Sequence, residues 1–109
     1  MKAYTDIEQS KKLAEFLPLE SADMCYPLPC ENGDKPLLER GKFGSTPCWS
    51  FAALLALLPL PTLEETPITD TETKWQCTIY CGRAKYWTEL YNEPIDALID
   101  AILITKENN

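Results

Sequence analysis

Five cysteines and no histidine set the chemistry this chain can attempt. Histidine titrates near neutrality and is the commonest protein ligand for zinc, copper and iron. Its absence excludes Ser-His-Asp and Cys-His catalysis, HExxH zinc hydrolysis, the two-His-one-carboxylate iron site and His-ligated haem within the chain. Thiolates alone would have to hold a metal. On one extended strand, Cys77 and Cys81 stand roughly 13 Å apart at about 3.3 Å per residue, too far to share a zinc ion. The proline-rich "CYPLPC" between Cys25 and Cys30 resists the tight knuckle a thiolate site needs. We therefore expect no metal and no cofactor. An odd cysteine count without an export signal points to reduced packing thiols rather than a Cys25–Cys30 disulfide.

Two other patterns invite a chemical role. In "GKFGSTPCW", Gly41 and Gly44 allow close backbone approach, and Lys42, Ser45 and Thr46 precede a predicted helix N-terminus. That order of Gly, Lys and Ser/Thr does not match GxxxxGK[ST], but it is compatible with a phosphate or nucleotide site on Lys42, Gly44, Ser45 and Thr46. Cys48, at the second position of the same predicted helix, would have its thiolate favoured by the dipole. No resolving cysteine lies two or three residues away. The carboxylates Glu20 with Asp23, and Glu64 with Glu65, have no spacing that fixes an acid and a base. "DTET" lacks the ligands and glycine of an EF-hand loop.

The elements that must position these residues follow from caps and periodicity. A Thr5-x-x-Glu8 capping box predicts a helix from about Asp6 to before Pro18, with Ile7, Leu13, Ala14, Phe16 and Leu17 on its apolar side. Residues 19–45, rich in Pro and Gly, are a long loop that is functional, mobile or hides a short strand or helical turn. "STPCWSFAALLALLP" predicts a second helix with Thr46 as N-cap and Pro47 at its first position. Being apolar all round, it would supply the core through Trp49, Phe51, Leu54, Leu55, Leu57 and Leu58; a subunit interface is the alternative.

Residues 62–73 can hold an edge strand in which Pro67 is tolerated. Runs 74–81 and 84–90 flank Gly82-Arg83, the signature of a type II′ hairpin. Pairing Cys81 with Ala84 then sets Ile79 against Tyr86, Cys77 against Thr88 and Trp75 against Leu90 on a core-facing side. The other side carries Tyr80, Trp87 and Tyr91 with Lys74 and Lys85, a concentration of aromatics suited to partner contact. Finally, Asn92 caps a helix with Glu93 and Pro94 in its first turn and Ile95, Leu98, Ile99, Ile102 and Leu103 at helical spacing. The expected fold is α+β. Residues 1–109 would form one domain with three helices on a small antiparallel sheet of two or three strands, in the order helix, loop, helix, hairpin, helix.

Ten basic against seventeen acidic residues give a net charge of −7, which argues against double-stranded nucleic acid. No apolar run reaches the length of a membrane span, and the N-terminus lacks a signal-peptide core, so we expect no membrane partner and a cytoplasmic address. "TDIEQSKKLAEFLPLESADM", "PCWSFAALLALLP" and "EPIDALIDAILITKE" together resemble a group of small proteins, without assigned activity, encoded in gut-bacterial genomes and their prophages or mobile elements. The resemblance implies a compact α+β domain and an accessory role, and brings no cofactor or site residues. We expect a small acidic non-enzymatic interaction or regulatory module that binds a protein through Tyr80, Trp87, Tyr91, Lys74 and Lys85, with homo-oligomerisation open. The alternative is a small-ligand domain built on the 41–46 loop.

Overall fold

A computed structural model describes residues 2–27, 35–38 and 45–108. The fold class is α+β; among the described residues there are three α-helices and two small antiparallel sheets in place of the one sheet expected. The chain divides into two compact units, residues 3–53 and residues 1–2 with 54–109.

In the first unit, helix α1 (Ile7–Ala14) is capped by Asp6, whose side chain accepts the Gln9 N–H at 2.8 Å while Gln9 returns the bond to Asp6 N–H at 3.1 Å. The capping box is therefore Asp6 with Gln9, one position beyond the predicted Thr5 with Glu8. Asp and Thr are comparable caps, and the choice falls to Asp6 because Thr5 is drawn inside. Ile7, Ser10 and Leu13 form the buried stripe of α1, whereas Ala14 is exposed.

The stretch expected to be a loop contains a 3-10 turn (Leu19–Ser21) and strand β1 (Met24–Tyr26). The predicted start of the second helix is instead strand β2 (Thr46–Cys48), antiparallel to β1 with Met24 opposite Cys48 and Cys25 opposite Pro47. Proline is admissible there because Cys25 exchanges both its backbone hydrogen bonds with Leu37 on its other side, 2.9 and 2.7 Å, so position 47 owes it no N–H. Helix α2 is only Phe51–Ala56. Its cap is Ser50, whose hydroxyl accepts the Ala53 N–H at 3.2 Å, and not Thr46. Asp23 fixes Ser50 in turn by accepting both its N–H and its hydroxyl. Of the predicted core residues of this segment, Trp49, Leu54 and Leu58 are buried, whereas Phe51, Leu55 and Leu57 are only half-buried.

The second unit is a three-stranded sheet, β3 (Thr62–Pro67), β4 (Thr73–Cys81) and β5 (Ala84–Trp87), with β4 central and helix α3 (Pro94–Glu107) packed on it. Strand β3 is an edge containing Pro67, as predicted. Gly82 turns the hairpin with φ +64°, and Cys81–Ala84 and Ile79–Tyr86 pair in the predicted register.

The register then breaks. Cys77 N–H bonds the Thr88 hydroxyl at 3.0 Å rather than its carbonyl, and the Thr88 carbonyl accepts from Gln76 Nε2 at 2.7 Å. Trp75 consequently pairs with Tyr91 through two backbone bonds of 2.7 and 2.8 Å, where Leu90 was expected. Glu89 and Leu90 stand against Gln76 alone, so the chain bulges by one residue.

Helix α3 begins at Pro94 with Glu93, not Asn92, as N-cap. Glu93 directs its carboxylate to the Lys2 N–H at 2.8 Å, and Lys2 Nζ lies 3.4 Å from Asp96 Oδ1. Ile95, Ala97, Leu98, Ile99, Ala101 and Ile102 are buried with Cys77 and Ile79 of β4. At about 1.5–3 kcal/mol for each large aliphatic side chain, their burial is the main stabilisation of this unit.

Candidate functional site

The five residues expected to form one contact surface are divided by the bulge. A cross-strand pair projects its side chains to the same side of a sheet. Lys85 is paired with Tyr80 and Trp87 with Thr78, with Gln76 and Lys74 further along the same face of β4. Across β3 that face continues through Thr62, Glu64 and Thr66. The opposite face, with Cys77 and Ile79, lies under α3.

Tyr91 belongs to the helix side. Pairing with Trp75 instead of Lys74 turns it over, and its hydroxyl donates to Asp100 of α3 at 3.0 Å. Burial, followed by that carboxylate, pushes its phenol up to about 12, so it stays a neutral donor across the neutral range. Tyr91 is thus a strut between sheet and helix, and the expected contact surface loses it.

The outer face keeps Tyr80, Trp87, Lys74 and Lys85. Trp87 is 63% exposed and Tyr80 39%, while Lys85 is exposed and Lys74 half-buried. Reasoning from sequence missed Leu60, which is 75% exposed. It adopts φ +46°, a left-handed conformation costly for a branched side chain, immediately after Pro59, whose carbonyl accepts the Tyr80 N–H at 3.3 Å. Leu60 therefore sits at the start of the β3 edge beside the Tyr80 row. The "LPLPT" run carries a signal, since a residue fixed between two prolines cannot extend the ladder on both sides.

Among the remaining candidates, Lys42 and Gly44 lie outside the described residues. Ser45 is half-buried and Thr46 buried at the start of β2. The helix N-terminus on which the anion site depended is absent at Thr46, so neither its amides nor a dipole is there to hold a phosphate.

Cys48 is likewise not helical. It is fully buried, its thiol donating to the Thr5 carbonyl at 3.3 Å, and burial pushes its pKa up despite hydrogen bonds with Thr5 and Ser10 that act the other way. A thiol so placed stays protonated and inert. Around it, Thr5 engages every polar group it has. Its N–H bonds the Trp49 carbonyl, its carbonyl accepts from the Tyr26 hydroxyl at 2.8 Å, and its hydroxyl accepts the Trp49 N–H at 3.1 Å while lying 2.7 Å from Ser10 Oγ. Burial drives the Tyr26 phenol well above the usual range, with the nearby Cys48 acting in the same direction.

Cys77 is also fully buried, and its thiol is pushed up to about 11 by desolvation. Among the described residues no group of three Cys, Asp or Glu side chains could hold a metal ion, and no helix is long and apolar enough to cross a membrane. Cys30 lies outside the described residues. Compared with known proteins, the chain matches no family model, no curated protein and no solved structure.

Proposed function

We propose that the chain is a non-enzymatic interaction module, of accessory or regulatory type, that binds a protein partner through the outer face of its three-stranded sheet. The observation that carries this reading is Trp87, a large aromatic left 63% exposed on the face opposite α3. Exposed tryptophan and tyrosine that a fold leaves uncovered are the residue types most often found at the energetic centres of interfaces. Tyr80 and Leu60 extend the apolar area. Lys85, the cross-strand partner of Tyr80, adds a cation on the same face.

The test is capture from lysate by immobilised wild-type and Trp87→Ala chains, identified by mass spectrometry. The wild-type chain is expected to retain a partner that Trp87→Ala loses, with identical far-UV circular dichroism and melting temperature for the two chains. Addition of the captured partner should also shift tryptophan emission to shorter wavelength and protect it from acrylamide. Identical captured sets from both folded chains would refute the role given to Trp87.

A further inference from the structure

Beyond the side-chain face, the backbone edge of β5, which pairs with no further strand among the described residues, has a polarity that fits one occupant. Cys81 and Ala84 flank the two-residue turn and so exchange hydrogen bonds. The Thr88 N–H bonding Cys77 O at 2.9 Å fixes the same phase at the other end, and the Tyr80 N–H turning to Pro59 O confirms it from the far side of β4. Ala84 and Tyr86 therefore face β4 with their backbone groups. Lys85 and Trp87 turn their N–H and C=O groups outward.

The other edge is closed to a further strand. There the outward-turned positions of β3 are Leu63, Glu65 and Pro67, and Pro67 has no N–H to give. Glu64 and Glu65 would also repel the same residues of an identical strand.

We infer that β5 pairs antiparallel with β5 of a second copy of this chain, joining two three-stranded sheets into one of six. One register of self-pairing engages both outward residues of β5 and none beyond the strand. Lys85 lies opposite Trp87 of the second copy and Trp87 opposite its Lys85, with Tyr86 beside the two-fold axis. Both outward residues then exchange backbone hydrogen bonds, four in all. Each ammonium comes to lie beside an indole, a favourable cation–π arrangement that covers the exposed Trp87.

The ends complement one another as well. Arg83 precedes β5, Glu89 follows it, both are exposed, and antiparallel pairing brings Arg83 of one copy toward Glu89 of the other. A lysine on an edge strand ordinarily discourages pairing. Here it disfavours the register that opposes Lys85 to itself; the register that opposes Trp87 to itself pairs Lys85 with Glu89, beyond the strand, so the one that sets Lys85 against Trp87 alone keeps both outward residues paired within β5. The symmetry is isologous, so each contact occurs twice.

Sedimentation velocity of the whole chain over a concentration series tests this. The wild-type chain is expected to move from one to two copies as concentration rises toward about 1 mM, a range suited to a short strand interface. Lys85→Pro removes one outward N–H without touching the bonds to β4 and should leave a folded monomer. Should that variant fail to fold, charge reversal gives the answer. Arg83→Glu alone should weaken dimerisation about tenfold, since two attractive pairs become repulsive, and adding Glu89→Arg should restore it.

A wild-type chain that stays monomeric throughout, or a dimer indifferent to both Lys85→Pro and Arg83→Glu, overturns the assignment. A folded Arg83→Glu chain whose dimerisation is weakened yet which still captures a protein partner supports it and leaves the function proposed for the Trp87 face standing. Trp87 takes part in both contacts, so loss of capture by Trp87→Ala is assigned to the partner face at concentrations where the wild-type chain is monomeric.

Discussion

Removing the Thr5 hydroxyl is expected to cost the first unit more than its size suggests. Thr5→Val preserves a β-branched shape of nearly the same volume, so no cavity opens and the effect is confined to hydrogen bonding. Two groups lose their partner. The Trp49 N–H, 3.1 Å from Thr5 Oγ1, is left without an acceptor at a fully buried residue, and the Ser10 hydroxyl loses its 2.7 Å contact. Each buried unsatisfied group costs about 1–3 kcal/mol. Ser10 can recover part of this by rotating toward the carbonyl of Asp6, which already accepts its N–H.

The stranded Trp49 amide has no such recourse, because the Thr5 carbonyl is taken by Tyr26 and Cys48. The expected loss is about 2–4 kcal/mol, a large share of the roughly 5–15 kcal/mol by which domains are stable. In urea, the midpoint should fall by about 1–2 M. Ser10→Ala is the matched control. Thr5 Oγ1 would still accept the Trp49 N–H and reach Cys48 Sγ at 3.5 Å, so about 1 kcal/mol is expected. The measurement is urea unfolding followed by tryptophan fluorescence and circular dichroism. A Thr5→Val midpoint equal to wild type, or a Ser10→Ala loss as large as that of Thr5→Val, would refute the view that Thr5 is the hub.

Stability should fall in alkali. The Cys77 thiol is raised from 9.0 to about 11 in the folded chain, so its contribution is complete below pH 9 and disappears as pH rises to about 11. The loss is about 2–3 kcal/mol, and Cys77→Ala should flatten that part of the profile measured by urea unfolding. In thiol labelling of the native chain near neutral pH, read by peptide mass spectrometry, half-exposed Cys81 should react well before buried Cys25, Cys48 and Cys77. Equal labelling of Cys48 and Cys81 would contradict the buried thiol network. Gly82→Ala should cost about 1 kcal/mol in thermal or urea unfolding. The cost is purely backbone, since φ is +64° and a Cβ there would meet no atom within 4 Å.

Much of the sheet and of α3 was legible in the sequence because their determinants are local. Gly82-Arg83 set the hairpin register for the four pairs nearest the turn, Pro67 marked an edge strand, and the spacing of Ile95, Leu98, Ile99 and Ile102 marked the buried side of α3. The absence of histidine settled which catalytic classes the chain cannot house, whatever its fold. These conclusions needed no knowledge of distant neighbours.

Where several local outcomes were nearly equal in energy, the tertiary structure chose. Thr5 and Asp6 are both good caps, and Thr5 was drawn inward because Trp49, Tyr26 and Ser10 together satisfy it better than a helix end would. Thr46-Pro47 starts helices well, yet Leu37 supplies the bonds that let Pro47 sit in a strand, and the helix waits for Ser50. The Thr88 hydroxyl competes with its own carbonyl for Cys77 N–H, and that one exchange shifts the register by a residue. It carries Tyr91 from the expected contact face to a bond with Asp100 and leaves Trp87 and Tyr80 as the exposed pair. Residue types alone singled out the aromatic side chains expected at a contact. Which of them face solvent was decided by hydrogen bonds between residues far apart in sequence, whose combined effect outweighs local preferences of about 1 kcal/mol.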